Sequence, residues 1–246
     1  MPTISIENRP DGVTVIVMDR PEKRNAISSG MAVELQQAFA DFEQGGQKVA
    51  VLTGRGNEAF TGGADVRDLP EFWRVVEGVG IHTTKPVIAA MAGWCVGGGM
   101  VMAMMADLAV AAENTRFSYP EARLGFTGGM IAGLAARIPH KVAMEVMLLG
   151  RTLDARRAYE VGMVNEVVPV GRQVERAIEL AAELAESAPL VLASLKQYVN
   201  GGVLPASPAE RMMRTTLMVR KVEDSADKAE GLNAFLEKRK PRYTGR

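Results

Sequence analysis

The sequence has a single cysteine, Cys95, and only two histidines among its 246 residues. One cysteine excludes a disulfide within the chain, which fits a reducing compartment, so we expect a cytoplasmic location. The histidines, His82 and His140, lack the mutual spacing and the neighbouring thiolates and carboxylates of a zinc site. We therefore predict that the protein holds no metal ion.

The chain also has no formal net charge at neutral pH, because 29 basic residues balance 29 acidic residues. A neutral chain without a basic patch interleaved with aromatics does not favour nucleic acid, and we predict no such partner. The most apolar stretch, residues 87–112, contains several glycines and Asp107, as buried strands and helices do. The N-terminus lacks the basic start and apolar core of a secretory signal. We expect a soluble protein without membrane contact.

Short β-type runs alternate with helical patterns in the first part of the chain, which indicates an α/β core. The predicted strands are residues 3–7, 13–19, 49–53, 86–91 and 107–111, and the predicted helices are residues 29–42 and 98–105. After Gly150 only residues 164–168 are typical of a strand, and helices are predicted at 170–186, 189–200, 208–223 and 226–240. We predict a core at residues 1–190, with the ligand sites, and a C-terminal helical region at about 191–246.

Two glycine-rich turns follow predicted strands: residues 60–66 read FTGGADV, and residues 93–99 read GWCVGGG. Backbone amides in such turns, and at a helix N-terminus, can receive a developing negative charge, so two turns that meet form an oxyanion hole. Each turn alone is more often only a tight connection. Their spacing matches neither a dinucleotide fingerprint nor a P-loop. A third segment, FSYPE, ends in the carboxylate of Glu121.

In this order, and over nearly the whole chain, the segments resemble the enoyl-CoA hydratase/isomerase (crotonase) family. The matching segments also include RPEKRNA at residues 20–26, GRTLDA at 150–155, AYEVGMVNEVV at 158–168 and AFLEKR at 234–239. The resemblance implies a crotonase-like spiral of ββα units with a C-terminal helical trimerisation region. It also implies a homotrimer or a dimer of trimers that acts on an acyl-CoA or enoyl-CoA substrate.

By the same resemblance, the oxyanion amides belong to Ala64 and Gly98, and Glu121 is the catalytic base. Coenzyme A then enters as part of the substrate, and no separate cofactor is expected. The residues that the resemblance assigns to coenzyme A binding are Arg24, Arg67, Phe235 and Lys238. For each cation in that set, a solvated surface charge is about as probable as a ligand contact.

The sequence departs from the family at Val101, where hydratases of the family carry a second glutamate. Val101 lies three residues after Gly98, so both share a helix face and should border one cavity. Hydration divides its proton transfers naturally between two carboxyl groups, whereas a 1,3 proton shift needs one base. We therefore favour double-bond isomerisation. The alternatives are a hydratase with a substitute group, another thioester lyase or hydrolase, and a non-catalytic coenzyme A-binding protein.

The acyl pocket also departs from the family, because the usual GGTQRL after the Pro-Glu turn is replaced. We predict a pocket lined by Val101, Phe126, Gly128, Gly129 and Met130. Burial among these apolar groups should raise the pKa of Glu121 toward neutrality. Tyr119 is more typical of a core aromatic with a hydroxyl partner than of a catalytic acid. His82 lies three residues before Lys85, and assistance in catalysis stays an alternative role for it.

Overall fold

The computed structural model describes residues 2–246 and contains two β-sheets with helices packed around them. The strands are β1 (Ile4–Asn8), β2 (Val13–Met18), β3 (Val49–Gly54), β4 (Ala59–Thr61), β5 (Val87–Met91), β6 (Trp94–Val96), β7 (Leu108–Ala112), β8 (Arg116–Ser118), β9 (Leu153–Asp154) and β10 (Glu166–Val168). The helices are α1 (Ser29–Gln44), α2 (Gly98–Met105), α3 (Glu121–Leu124), α4 (His140–Leu149), α5 (Ala155–Glu160), α6 (Gln173–Ala185), α7 (Pro189–Tyr198), α8 (Pro208–Glu223) and α9 (Ala226–Leu236). This architecture confirms the predicted α/β class.

The large sheet has the order β1-β2-β3-β5-β7-β10 and is parallel except for β1. Its strands are rich in valine, isoleucine and alanine because both faces are covered. Successive side chains point to opposite faces. Leu52 therefore joins the apolar cluster that contains Leu35 of α1, and Val51 joins the cluster that contains Ala181 of α6.

The small sheet has the order β4-β6-β8-β9, and β4, β6 and β8 are parallel neighbours. The sequence analysis did not predict any of its strands. Each has only two or three residues, too few for a repeating apolar pattern to show. In particular, the expectation of a single strand after Gly150 was wrong, because β9 pairs with β8 there.

The C-terminal helices agree with the predicted helical pattern, with changes at their ends. Helix α8 has the predicted boundaries and a capping box, in which Glu210 N donates to Ser207 Oγ and Ser207 N donates to Glu210 Oε2. Helix α9 ends at Leu236, short of the predicted 240. Helix α6 packs against the large sheet. The division at residue 190 stays a prediction, and α7 runs across it.

Across residues 2–246, no helix combines the length and the apolar character that crossing a bilayer requires.

Lys196 attaches helix α7 to the large sheet. Its Nζ donates to the carbonyl of Lys85 at 2.9 Å and to Asp107 Oδ2 at 2.8 Å, and lies 2.6 Å from Glu77 Oε1. The ammonium is therefore paired at the starts of β5 and β7.

Candidate active site

Three turns that the sequence analysis singled out leave the same edge of the small sheet. The turn before Ala64 follows β4, the turn at Gly98 follows β6, and the turn at Glu121 follows β8. Since these strands are parallel neighbours, their carboxyl ends lie together. Ligand sites of parallel sheets form outside such carboxyl ends. The structure therefore brings the three predicted catalytic residues to one edge.

The first turn leaves a backbone amide free for a ligand. Gly63 N donates to Thr61 Oγ1 at 3.1 Å, and Asp65 N donates to the carbonyl of Ile27 at 2.8 Å. Between them, the half-buried amide of Ala64 has no acceptor within residues 2–246. An N–H group that is partly withdrawn from water and lacks an acceptor is what an oxyanion donor requires.

The second turn presents a comparable amide at the start of α2. Gly97 has φ 55°, and its amide donates to the carbonyl of Ser118 at 2.8 Å, which ties β6 to β8. Gly98 is the first residue of the helix, and its amide has no acceptor in the described part of the chain. The helix dipole adds partial positive charge there. A Cβ on Gly63 would lie 3.7 Å from Gly98 N, so the two turns adjoin.

Polar residues near the N-terminus hold the first turn in place. Asn25 is buried, and its Nδ2 donates to the carbonyl of Ala59 at 2.8 Å, while its own carbonyl accepts from Thr61 Oγ1 at 2.7 Å. Arg20 pairs with Asp65 at 3.1 Å on the other side of the turn. The segment around Asn25 contributes to the family resemblance, but its sequence does not reveal this supporting role.

Glu121 lies at the start of α3 and is buried, with 7% of its surface exposed. A Cβ on Gly97 would stand 2.7 Å from Glu121 Oε1, so the carboxyl group packs on the backbone beside the Gly98 amide. Its other oxygen, Oε2, has no hydrogen-bond partner among residues 2–246. Burial raises the pKa of Glu121 to about 7, opposed in part by its own backbone amide. An unpaired carboxyl with such a pKa can both accept and donate a proton near neutral pH.

Two side chains close to Gly98 are apolar. Val101 is 3% exposed and belongs to the main apolar core, so no carboxyl group occupies its position. Phe72 packs its ring on Gly98 so closely that a Cβ on the glycine would overlap it. Phe72 lies in a short 3₁₀ helix, Phe72–Val75, where the sequence showed no periodic pattern. Sequence reasoning therefore missed this neighbour of the turn at Gly98.

The predicted acyl-pocket residues after α3 differ in their exposure. Phe126 is 56% exposed and Gly128 is exposed as well, whereas Met130 is buried in the core. Gly129 has φ 74° and approaches Ala209 of α8. The role of these residues in holding an acyl group stays a prediction.

The predicted coenzyme A contacts fall into two groups. Arg24 and Arg67 flank the first turn: the carbonyl of Arg24 accepts from Gly62 N at 2.8 Å, and both side chains are exposed. Phe235 lies in the last turn of α9 and is 80% exposed, and Lys238 lies two residues after the helix ends. Contacts of either group with coenzyme A stay predictions.

Tyr119 and His82 occupy different surroundings. The Tyr119 hydroxyl hydrogen-bonds Thr127 Oγ1 at 2.9 Å, as expected of a core aromatic with a hydroxyl partner. Burial, together with the charge of Glu121, raises the pKa of Tyr119, which makes it a poor acid. His82 is exposed and lines a cavity whose lining does not include Glu121. In residues 2–246, no three His, Cys, Asp or Glu side chains cluster as metal ligands do.

With this geometry established, comparison with known proteins identifies the family. The model of the enoyl-CoA hydratase/isomerase family matches residues 8–246. A carnitinyl-CoA dehydratase of Escherichia coli K12 is 35% identical, covering 97% of this chain and 97% of the relative. The chain therefore belongs to the enoyl-CoA hydratase/isomerase family, as the resemblance in the sequence predicted.

Solved structures agree with this assignment. A carnitinyl-CoA hydratase from Mycobacterium avium is 31% identical and superimposes with a TM-score of 0.78, covering 100% of both chains. An enoyl-CoA hydratase from Mycobacterium tuberculosis H37Rv is 35% identical, with a TM-score of 0.74 over 100% of both chains. The predicted crotonase-like fold is thereby confirmed.

Proposed function

We propose that this protein is an acyl-CoA hydratase or dehydratase in which Glu121 is the only carboxyl group that moves protons. The observation that carries the proposal is the buried carboxyl of Glu121 beside the Gly98 turn, with no hydrogen-bond partner for its Oε2 among residues 2–246. The names of the relatives, which include hydratases and dehydratases, support addition or removal of water over isomerisation. The proposal therefore places a hydratase or dehydratase ahead of the isomerase that the sequence analysis favoured.

One carboxylate suffices for water removal if both proton transfers occur on the same face of the substrate. Ionised Glu121 takes the α-proton of a 3-hydroxyacyl thioester, and the electron pair moves onto the thioester oxygen. The amides of Ala64 and Gly98 stabilise that charge, and losing one such donor typically costs about 3 kcal/mol. Neutral Glu121 then gives its proton to the departing hydroxyl group, which leaves as water, and the double bond forms. Hydration is the reverse sequence.

The raised pKa suits this double role. A carboxyl group with a pKa of about 7 exists in both protonation states near neutrality, so Glu121 can act as the base in the first transfer and as the acid in the second. Dehydration begins with removal of the α-proton, and this step needs the ionised form of Glu121. We therefore expect kcat/KM for dehydration to rise with pH and to level off above about 7.

The second candidate is double-bond isomerisation, and the buried valine at position 101 favours it. With no second carboxyl at this position, a water molecule has one fewer group to hold it. Glu121 alone can take a proton from the α-carbon of a 3-enoyl thioester and return it to the γ-carbon. Both candidates place negative charge on the thioester oxygen, as an enolate in dehydration and as a dienolate in isomerisation, and both use the same two amides.

A product assay separates the candidates. The protein is incubated with a 2-enoyl-CoA, a 3-enoyl-CoA and a 3-hydroxyacyl-CoA of equal length, and products are resolved by chromatography and mass spectrometry in oxygen-18 water. Label incorporation into a 3-hydroxyacyl-CoA supports the hydratase. Double-bond migration without label would instead support the isomerase. If Glu121→Gln leaves every activity unchanged, Glu121 is not the base, and a non-catalytic coenzyme A-binding role becomes preferable.

A substitution at residue 101 tests the missing carboxyl directly. Val101→Glu introduces a carboxyl one helical turn after Gly98, and we expect it to increase hydration relative to isomerisation. Val101→Leu is the matched control, because it changes size without adding an acid. An equal product ratio in both variants would show that residue 101 does not face the reacting carbons.

We also propose a homotrimer or a dimer of trimers, without a cofactor other than the coenzyme A of the substrate. Large apolar side chains on the last two helices are exposed in the single chain, and burial between subunits would remove them from water. They include Met218, Val222, Leu232, Phe235 and Leu236. Light scattering coupled to size-exclusion chromatography tests this, and a monomer at micromolar concentration would contradict it.

A further inference from the structure

A cavity of about 400 Å³ lies at the other end of α2 from Gly98. We call it the Arg137 cavity, and its charged lining consists of Glu43, Glu77, Lys196, Glu210, Arg137 and Arg214. Helix α2 runs from Gly98 to Met105, and Met105 also lines the cavity. At about 1.5 Å of rise per residue, the cavity begins roughly 10 Å from the oxyanion turn.

The three carboxyl groups that line this cavity already have partners. Glu43 accepts hydrogen bonds from the hydroxyl groups of Thr83 and Thr84 at 2.7 and 2.8 Å. Glu210 Oε2 accepts from Ser207 N at 2.8 Å in the capping box of α8.

Glu77, the third carboxyl, lies 2.6 Å from Lys196 Nζ. The only lysine of the lining is therefore paired, and Asp107 binds it as well. Burial raises the pKa of Glu77 to about 7, and the Lys196 ammonium beside it offsets the negative charge that an anion in the cavity would meet.

The two arginines, by contrast, lack acidic partners. Arg137 donates to the carbonyl of Gly133 at 3.0 Å and to the thioether sulfur of Met105, which is a weak acceptor. Neither Arg137 nor Arg214 has a carboxylate oxygen within 4.0 Å in the part of the chain that the structure describes. Burial lowers the pKa of Arg137, although Glu210 and Glu77 attract its charge from farther away.

We propose that the Arg137 cavity binds a carboxylate, with Arg137 inside and Arg214 of α8 at the exposed mouth. Two guanidinium groups without a carboxylate partner line this cavity, and a carboxylate fits the fork of a guanidinium group. Two sources have this chemistry: the distal carboxylate of an acyl-CoA substrate, and a free organic acid. Only the first source depends on the proposed function.

The first arm of the test measures binding of free acids. Glutarate and its neutral diamide are titrated by calorimetry into the wild type, Arg214→Gln and Arg211→Gln. Arg211 is an exposed arginine on the same helix outside the cavity lining and serves as the matched control. We expect saturable binding of glutarate only, weakened about tenfold or more by Arg214→Gln and unaffected by Arg211→Gln.

The second arm measures the affinity of the protein for glutaryl-, adipyl- and suberyl-CoA. Each is compared with the acyl-CoA of equal chain length that has no distal carboxylate. A carboxylate preference that Arg214→Gln removes, and Arg211→Gln retains, identifies the substrate tail as the source. Binding in the first arm alone identifies a free acid. If neither arm shows a preference that depends on Arg214, or both arginine variants behave alike, the proposal is overturned. If no thioester binds, the proposed function fails, while the first arm still decides the cavity.

Discussion

Glu121 and Glu77 are both buried carboxyl groups whose pKa is raised to about 7, yet their surroundings differ. Burial is the main cause for both. Glu77 forms an ion pair with Lys196, whose Nζ lies 2.6 Å from Glu77 Oε1, whereas Glu121 has no cation within salt-bridge distance among residues 2–246. A raised pKa alone therefore does not distinguish a catalytic acid from an ion-paired one. The adjoining backbone amides make the distinction, and only Glu121 lies beside them.

Turnover should separate the two carboxyl groups most strongly. We expect Glu121→Gln to lower kcat by about 10²- to 10⁴-fold, because it removes the group that we propose moves the proton. Glu77→Gln should lower it by less than about tenfold, since Glu77 lies apart from the Gly98 turn. Steady-state assays on the favoured thioester measure both effects. Equal losses of kcat in the two variants would show that Glu121 is no more important for turnover than Glu77.

For folding stability, we expect substitutions at the Glu77 site to have larger effects than substitutions at the Glu121 site, the opposite of the order expected for turnover. Lys196→Met leaves the buried carboxyl of Glu77 without its cation, and we expect a loss of about 3–5 kcal/mol in the free energy of unfolding. Glu121→Gln leaves no charge unpaired and should retain or increase stability. Urea denaturation measures both variants. Adding Glu77→Gln to Lys196→Met should restore part of the loss, and no restoration would contradict the pairing.

The pH dependence of stability provides a finer separation. Each of these carboxyl groups has a folded-state pKa of about 7, above the value of 4.5 for an unperturbed glutamate. The native state therefore binds more protons than the unfolded state between these values, and stability falls as pH rises from 4.5 to about 7. Glu121→Gln should remove up to about 3 kcal/mol of this fall. The slope contributed by Glu77 should remain, and an unchanged slope would show that Glu121 has an ordinary pKa.

The smallest effect is expected beside Glu121, at the hydroxyl of Tyr119. Tyr119→Phe removes its hydrogen bond to Thr127, and we expect a loss of about 1 kcal/mol in stability. Thr127→Val is the matched variant, because it deletes the other partner. A kcat reduced as strongly as in Glu121→Gln would contradict the assignment of Tyr119 to packing.

Much of this arrangement was predictable from the sequence because it depends on local pattern. The boundaries of α2 and α8 agree with the predicted helices, since a glycine-rich start and a capping box mark them. The two glycine turns and Glu121 were identified with the help of the family resemblance. Burial of Glu121 and its raised pKa follow the expectation for a base in an apolar site.

The rest depends on contacts between residues far apart in the chain, which local pattern does not carry. The strands of the small sheet are too short to show a period, so the reason that the three turns meet was not predictable. Phe72 reaches Gly98 from an irregular segment, and Lys196 reaches Glu77 across more than a hundred residues. The raised pKa of Glu77 follows from that long-range burial.

The small sheet has a practical consequence for engineering. Because β4, β6 and β8 each end before a separate turn, the strand pairing fixes where every turn begins. Loop libraries confined to residues 66–71 or 122–128 should therefore alter which thioesters are accepted while the reaction type stays the same. Sorting such libraries against several acyl chains would reveal how independently selectivity and chemistry can evolve on this scaffold.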